Sequence, residues 1–391
     1  MRVAIVVSGT RGDVQPMLAL ALGLGLAGHD ALFCSSADNE PWARTLGVTF
    51  EAVGEPLHNN PSLGDWGIRP FGRFIRRQID NQVSQLPAIV KGCDVVVASG
   101  LTWGVRPVAE FLRIPYRYVS FVPASFLGTT RDPIGVRFRR GLLSGFADFA
   151  YGRALNKARA SVELPRRRGV MAQMMGPIPI AATDSALTIV PDGARLKSRQ
   201  TGYPMLAQAG ELDDRLTRFL ADGPAPVYAG FGSMMVGDNE RMARLLLEAA
   251  RRADQRMVIA RGWAGMGDVD GGDRCLFVNE VPHGLLFRRV SAVIHHGGAG
   301  TVATAARSGV PQILLPQAID QFLWRDQLVS LGLAPPTPRL RRASAESVAA
   351  AITAVTSDPA YRRRANEMAA RLASAPDGVA ATVTEITSTS R

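Results

Sequence analysis

The chain has 391 residues, 47% of them hydrophobic, enough for two or more full-sized cores, and no apolar run approaches the ~18 residues of a membrane span. Its net charge is +11, carried almost wholly by arginine, since lysine occurs only at Lys91, Lys157 and Lys197. Three cysteines without a CxxC pair and five scattered histidines argue against a disulfide framework and a structural zinc site. Arginine clusters at Arg137-Arg139-Arg140, Arg166-Arg167-Arg168, Arg339-Arg341-Arg342 and Arg362-Arg363-Arg364 suit an anionic surface. No nucleic-acid motif accompanies them. The reading is solvated helix faces, no nucleic-acid partner, and at most a weak peripheral membrane contact. The N-terminus lacks the flanks of a signal peptide and leads directly into a strand, so a cytoplasmic protein is expected.

Val3-Ala4-Ile5-Val6-Val7 is an all-apolar strand of the kind buried in parallel sheets. The loop Ser8 to Asp13 follows, then a helix over Val14 to Leu24 that ends at Gly28-His29. Ala31-Leu32-Phe33-Cys34 and Val48-Thr49-Phe50 are the next strands, and this β-α-β-α-β order signals a doubly wound α/β sheet. A Pro/Gly/Asn-rich loop precedes a helix over Phe71 to Lys91. Asp94 to Ala98 is a strand, Trp103 to Leu112 a helix, Tyr116 to Ser120 a strand, and Pro123 to Pro133 irregular. Gly135 to Arg168 is mostly helical, and Thr188-Ile189-Val190 closes the half as a strand.

Pro191 to Pro204 has no periodic pattern and reads as a linker. The second half alternates again, with strands at Pro226–Gly230, Met257–Ile259, Cys275–Val278, Ala292–Ile294 and Gln312–Leu315, a helix over 299–308, and terminal helices over Ala345–Ser357 and Pro359–Ala373. Two domains are expected, 1–200 and 201–391, with the last helix packing back on the first.

The stretch around which the chain is organised is His295-His296-Gly297-Gly298-Ala299-Gly300-Thr301, between a strand and a helix. There, free backbone N–H groups and the positive helix end point at one spot, which suits a phosphate. The plain alternative is a tight turn with glycines for packing only. Gly23-Leu24-Gly25-Leu26-Ala27-Gly28 matches GxGxxG but lies late in a helix, so helix packing is the better reading, and a nicotinamide dehydrogenase loses its support. No GxxxxGK[ST] is present. Gly230-Phe231-Gly232-Ser233 after a strand suits a second phosphate contact or a simple turn, and Glu280-Val281-Pro282-His283 can offer backbone edges to a base. Asp320-Gln321 suits vicinal sugar hydroxyls, or Asp320 is an N-cap. Asp13, before the first helix, is either an N-cap or a general base.

Taken together, these residues are similar to the donor-site signature of nucleotide-sugar-dependent glycosyltransferases of the GT-B fold: His295 to Thr301, Gly309-Val310-Pro311-Gln312 and Asp320-Gln321. Gly9-Thr10-Arg11-Gly12-Asp13-Val14-Gln15-Pro16 resembles the bacterial natural-product branch, which includes the vancomycin-type glycopeptide glycosyltransferases; sterol glucosyltransferases share the motif. The resemblance implies two Rossmann-like β/α/β domains facing across a cleft, an N-terminal one for acceptor and a C-terminal one for donor. It implies an inverting, metal-independent transfer of a hexose or deoxyhexose from a UDP- or TDP-sugar to a hydrophobic acceptor, with no cofactor beyond the nucleotide sugar.

The implied roles fall position by position. Asp13 would be the base. His295 and the amides of Gly297, Gly298, Ala299, Gly300 and Thr301 would hold the diphosphate, with Ser233 assisting. Val281 would pair with the pyrimidine through its backbone, His283 would lie near the ribose, and Asp320 and Gln321 would grip the sugar. Trp66, Phe71, Trp103, Phe121 and Phe126 offer an acceptor floor, or are core. Plant relatives carry a histidine base in the first loop and a tryptophan stacked on the nucleobase. Here the first loop offers only Asp13, and Glu280 stands in the tryptophan's place, with Trp263 a substitute for it. No Asp-x-Asp metal motif occurs. A nucleotide-sugar 2-epimerase and a non-catalytic nucleotide-sugar binder are the competing classes.

Overall fold

A computed structural model of the chain describes residues 1–56, 60, 68–122, 134–190, 198–207, 210–232, 239–262, 269–317 and 319–388. It forms two compact units. The first comprises Met1–Ser185, Val190–Leu206 and Pro376–Arg391, and the second Ala186–Ile189 and Ala207–Ala375.

The first unit holds strands β1 (Arg2–Ser8), β2 (Asp30–Ser35), β3 (Thr49–Ala52), β4 (Val95–Gly100), β5 (Tyr116–Ser120), β6 (Ile180–Ala181) and β7 (Arg199–Gln200) in one parallel sheet of order β3-β2-β1-β4-β5-β6-β7. Its helices are α1 (Arg11–Leu26), α2 (Glu40–Thr45), α3 (Ile68–Ile89), α4 (Val105–Leu112), α5 (Ile134–Ser161) and α6 (Val170–Met175). The second unit holds β8 (Val227–Ala229), β9 (Met257–Ala260), β10 (Cys275–Val278), β11 (Ala292–His295) and β12 (Gln312–Leu314), parallel, in the order β10-β9-β8-β11-β12. Its helices are α7 (Asp214–Ala221), α8 (Asn239–Arg252), α9 (His283–Leu286), α10 (Ala299–Arg307), α11 (Ile319–Ser330), α12 (Ala345–Ser357) and α13 (Pro359–Ala373). The final helix, α14 (Gly378–Thr387), belongs to the first unit.

Both sheets are doubly wound, as the alternating pattern predicts. Val3 to Val7 are at most 2% exposed, because a parallel strand at the sheet centre is covered on both faces. In each sheet the first strand lies inside and the chain order reverses beside it, between β1 and β4 in one unit and between β8 and β11 in the other. Ligands of open α/β sheets bind beyond the strand ends at such reversals.

Three local features differ from or sharpen the sequence reading. Thr188-Ile189-Val190 forms no strand; Leu187 instead packs, 1% exposed, in the second unit's core with Val302 and Trp324. The sheet edge is made by the two-residue strands β6 and β7, β7 lying within the stretch read as linker. Such short pairings carry no periodicity to detect. Within the Gly23–Gly28 stretch, Gly23 serves helix packing, since a Cβ there would collide with Val379 of α14, while Gly25 and Gly28 face open space. α14 is fastened further by a hydrogen bond of 2.7 Å between the hydroxyls of Thr201 and Thr382.

Candidate active site

The second unit's site is built where β8, β10, β11 and β12 end. The turn after β11 needs glycine at residue 297, whose φ is +98°, a left-handed conformation that L side chains resist. A Cβ there would also stand 3.1 Å from Leu314 and 3.2 Å from the Gln321 carbonyl. The bare backbone therefore lies flat against the start of α11, and this brings Gln321 beside the glycine loop, with Asp320 preceding it in the same helical turn.

Gly298 caps α10, and the first helical bond runs from the Val302 N–H to the Gly298 carbonyl at 3.0 Å. The N–H groups of Ala299, Gly300 and Thr301 have no intrahelical partner and none among the described residues. Gly298, Ala299, Gly300 and Thr301 are half-buried, so three donors and the positive end of a nine-residue helix converge on an accessible spot. Gly297 differs: it is buried, and its N–H donates to His295 Nδ1 at 3.1 Å.

His295 corrects an expectation. Its side chain is fully buried; Nδ1 accepts from Gly297, which fixes the tautomer, so Nε2–H donates to Gln312 Oε1 at 3.0 Å. Gln312 in turn donates to the Val302 carbonyl at 3.4 Å. Both ring nitrogens are thus bonded within the protein. As the last residue of β11, His295 points into the protein and ties the loop to β12 and α10. Burial, the first cause, with the neighbouring His296 adding to it, holds its imidazole neutral and lowers its pKa to about 3.

The next residue, His296, lies outside the strand and is the imidazole at the glycines. Its ring lies where a Cβ on Gly298 would meet Nε2 at 2.6 Å and one on Gly232 would meet Cε1 at 3.6 Å. Its Nδ1 is buried without a partner among the described residues, and burial lowers its pKa to about 4. The sequence reading passed over His296; the signal was the doublet, of which strand alternation turns one ring in and one out. Gln317 was also missed. Its side-chain nitrogen is a second buried donor without a partner among the described residues, while its backbone N–H donates to Gln321 Oε1 at 2.7 Å. Gln321 is thus 4% exposed and held by its own loop. Asp320 is half-buried in the first turn of α11 rather than at its N-cap, and burial raises its pKa.

Tyr228 joins two further loops. Its hydroxyl shares a hydrogen bond of 2.9 Å with His283 Nε2 and occupies the place a Cβ on Gly230 would need. The His283 ring is stacked 4.7 Å from Phe287, and Val281 is half-buried beside it. Glu280 is exposed. Ser233 and Trp263 lie outside the described residues.

In the first unit, Asp13 stands at the reversal between β1 and β4. Its Oδ2 accepts the Thr10 N–H at 2.9 Å and the Thr10 hydroxyl at 3.3 Å, a capping arrangement in the first turn of α1. A Cβ on Gly9 would collide with this carboxylate, and one on Gly100, φ +72°, with the Ser8 carbonyl and at 3.6 Å with Asp13 Cβ. The two glycines open a niche that leaves the half-buried Asp13 in place. Capping and proton transfer are compatible, because a carboxylate has more lone pairs than the cap uses. Of the aromatic candidates for an acceptor floor, Trp103 and Phe121 are 8% and 7% exposed and belong to the core, and Phe71 packs against it. Trp66 and Phe126 lie outside the described residues.

Among the described residues, no three His, Cys, Asp or Glu side chains are grouped to hold a metal ion. The second unit offers instead main-chain donors, an imidazole and a carboxylate–amide pair, a set that suits a diphosphate joined to a polyol.

Comparison with known proteins agrees with this chemistry. Residues 3–126 match the glycosyltransferase family 28 N-terminal domain, and residues 244–386 match the erythromycin biosynthesis protein CIII-like C-terminal domain. The chain is 36% identical to the vancomycin aglycone glucosyltransferase of Amycolatopsis orientalis, over 85% of this chain and 85% of that protein. It is 35% identical to glycosyltransferase GtfE of the same organism, over 97% of this chain and 96% of that one. Among solved structures, the glycosyltransferase VinC in complex with dTDP superposes with a TM-score of 0.73 at 20% identity, covering 100% of this chain and 99% of VinC. That likeness shows the fold, GT-B.

Proposed function

We propose, for a chain that belongs to the natural-product glycosyltransferases related to vancomycin aglycone glucosyltransferase, an inverting transfer of a hexose or deoxyhexose from a UDP- or TDP-sugar to a hydroxyl of a hydrophobic acceptor, without a metal ion. The observation that carries this is the trio of unpartnered N–H groups at Ala299, Gly300 and Thr301, on a loop whose Gly297 packs against Gln321 at the start of α11.

In this reading Asp13 takes the proton of the acceptor hydroxyl, and the acceptor oxygen attacks the anomeric carbon. The bond from that carbon to the diphosphate breaks with its electron pair. The charge that builds on the diphosphate is met by the amides of Gly298 to Thr301 and by His296, which stabilise it as it develops. His295 positions the loop without touching the ligand. Ser233 assists at the phosphates, the Val281 backbone meets the pyrimidine, His283 lies by the ribose, and Asp320 and Gln321 hold sugar hydroxyls. Attack from the face opposite the leaving group inverts the anomeric centre. The solved neighbour VinC, in complex with dTDP, and the relative named for a vancomycin aglycone support the substrate classes.

The test is the anomeric configuration of the product, read by proton NMR, with wild type and Asp13→Asn in buffer treated with a chelator. The expected results are inversion, turnover unaffected by the chelator, and a loss of ~10²–10⁴-fold in kcat for Asp13→Asn with nucleotide binding kept. Retention of configuration, or a variant as fast as wild type, contradicts the mechanism.

A further inference from the structure

Two phenylalanines on α5 lie open to solvent, Phe146 at 56% and Phe149 at 85% exposure. Single exposed apolar side chains need no explanation, but two rings one turn apart on one helix face form a patch. The opposite face explains the orientation: Leu155 and Ala158, with Val162 just past the helix end, are buried in the first unit's core, the Tyr151 ring lies tilted against Trp103 with centroids 4.6 Å apart, and Arg159 is bound to Glu110 at 2.9 Å. At 100° per residue, Phe146 and Phe149 share the outward stripe with Arg153 and Lys157, both exposed. The segment after the helix is tied back along it, since Asn156 Oδ1 accepts the Arg167 N–H at 2.8 Å and Asn156 Nδ2 donates to the Arg167 carbonyl at 3.0 Å. This sets exposed Arg166 and Arg168 beside the same stripe. Arg153, Lys157, Arg166 and Arg168 have no ion-pair partner among the described residues. Of the acids in residues 145–168, Asp148 is half-buried and accepts the Val170 N–H, which leaves Glu163 as the exposed one.

We propose that this face of α5, with the Phe146–Phe149 pair and the cations of Arg153, Lys157, Arg166 and Arg168, docks on the surface of a bilayer that contains anionic phospholipid. Aromatic rings enter the interface while arginine and lysine meet headgroup phosphates, the combination that gives reversible peripheral binding. Docking places the enzyme where apolar acceptors partition. That consequence rests on the transfer reaction above; the binding itself does not.

The test is co-sedimentation of the full chain with vesicles of phosphatidylcholine alone and of phosphatidylcholine mixed with phosphatidylglycerol, alongside Phe146→Ser/Phe149→Ser and Arg153→Glu/Lys157→Glu variants. The expected result is binding to the anionic vesicles alone, weakened by high salt, by roughly tenfold or more in the aromatic variant and about fivefold per cation removed, with unchanged thermal melting and unchanged turnover of a soluble acceptor. Equal binding to both vesicle types, no binding to either, or full binding by both variants overturns the proposal. So does a raised KM for the soluble acceptor in the aromatic variant with vesicle binding intact, which would make the rings part of the acceptor floor.

Discussion

His295 and His296 are neighbours in sequence and opposites in environment. One has both nitrogens bonded inside the protein, and the other holds a buried nitrogen without a partner among the described residues beside a helix end. The burial of His295 has a consequence for pH. Its pKa falls from 6.5 to about 3 on folding, with burial the main cause. Above pH 6.5 neither state binds a proton. As pH falls from there, the unfolded chain takes up a proton that the folded chain refuses, so stability present above 6.5 is lost on acidification towards 3, at up to ~1.4 kcal/mol per pH unit. His296, lowered to about 4, acts in the same sense. The expected outcome is that the urea midpoint falls between pH ~7 and ~5, and that His295→Asn, less stable at neutral pH, shows a flatter profile over that window. Parallel profiles would mean that His295 is not held neutral in the fold. That His295 faces inward was not legible in the sequence, because a residue at a strand's end follows the strand's alternation or the loop's direction, and register decides which. That unpartnered main-chain N–H groups gather nearby was legible, because glycines placed between a strand and a helix N-terminus leave the first helical donors uncovered.

Among the elements, α14 shows how a weak motif is resolved by packing. Gly23 of α1 is bare because Val379 fills the space a Cβ would take. Replacing Gly23 by Ala gains ~1 kcal/mol in helix propensity and costs ~1–3 kcal/mol in overpacking. The expected net effect is a loss of up to ~2 kcal/mol, read as a lowered urea midpoint, and Val379→Ala in the same chain restores part of it. Stabilisation by Gly23→Ala alone would show that the helices are not in contact. The central strands β1, β4, β8 and β11 and helices α1, α10, α12 and α13 were readable from apolar runs and periodicity. The edge strands β6 and β7 were not, since two residues carry no pattern, and the Thr188–Val190 run has the β-branched composition of a strand but pairs with neither sheet, Ile189 being 73% exposed.

At the scale of the whole molecule, two doubly wound units each carry polar groups where their strand order reverses: Asp13 between Gly9 and Gly100 in one, the α10 terminus with His296, Asp320 and Gln321 in the other. The candidate donor site was proposed from sequence because phosphate and sugar suit a short vocabulary of glycine, hydroxyl, carboxylate and amide. The acceptor was not, since an apolar floor uses the same aromatic residues as a core, and Trp103 and Phe121 proved to be core. The central claim is that main-chain amides catch the diphosphate, and one substitution removes a single amide without removing a side-chain contact. Proline is accepted at the first position of a helix, and the preceding Gly298, at φ −64° and ψ 138°, already has the extended conformation proline asks of its neighbour. Calorimetric titration of UDP and TDP into wild type and Ala299→Pro is therefore the most direct measurement. The expected result is unchanged thermal melting of the free protein with nucleotide affinity reduced about 10- to 100-fold, the ~1.5–3 kcal/mol of one hydrogen bond to a charged group; equal affinity in the two proteins would contradict a main-chain cradle at α10.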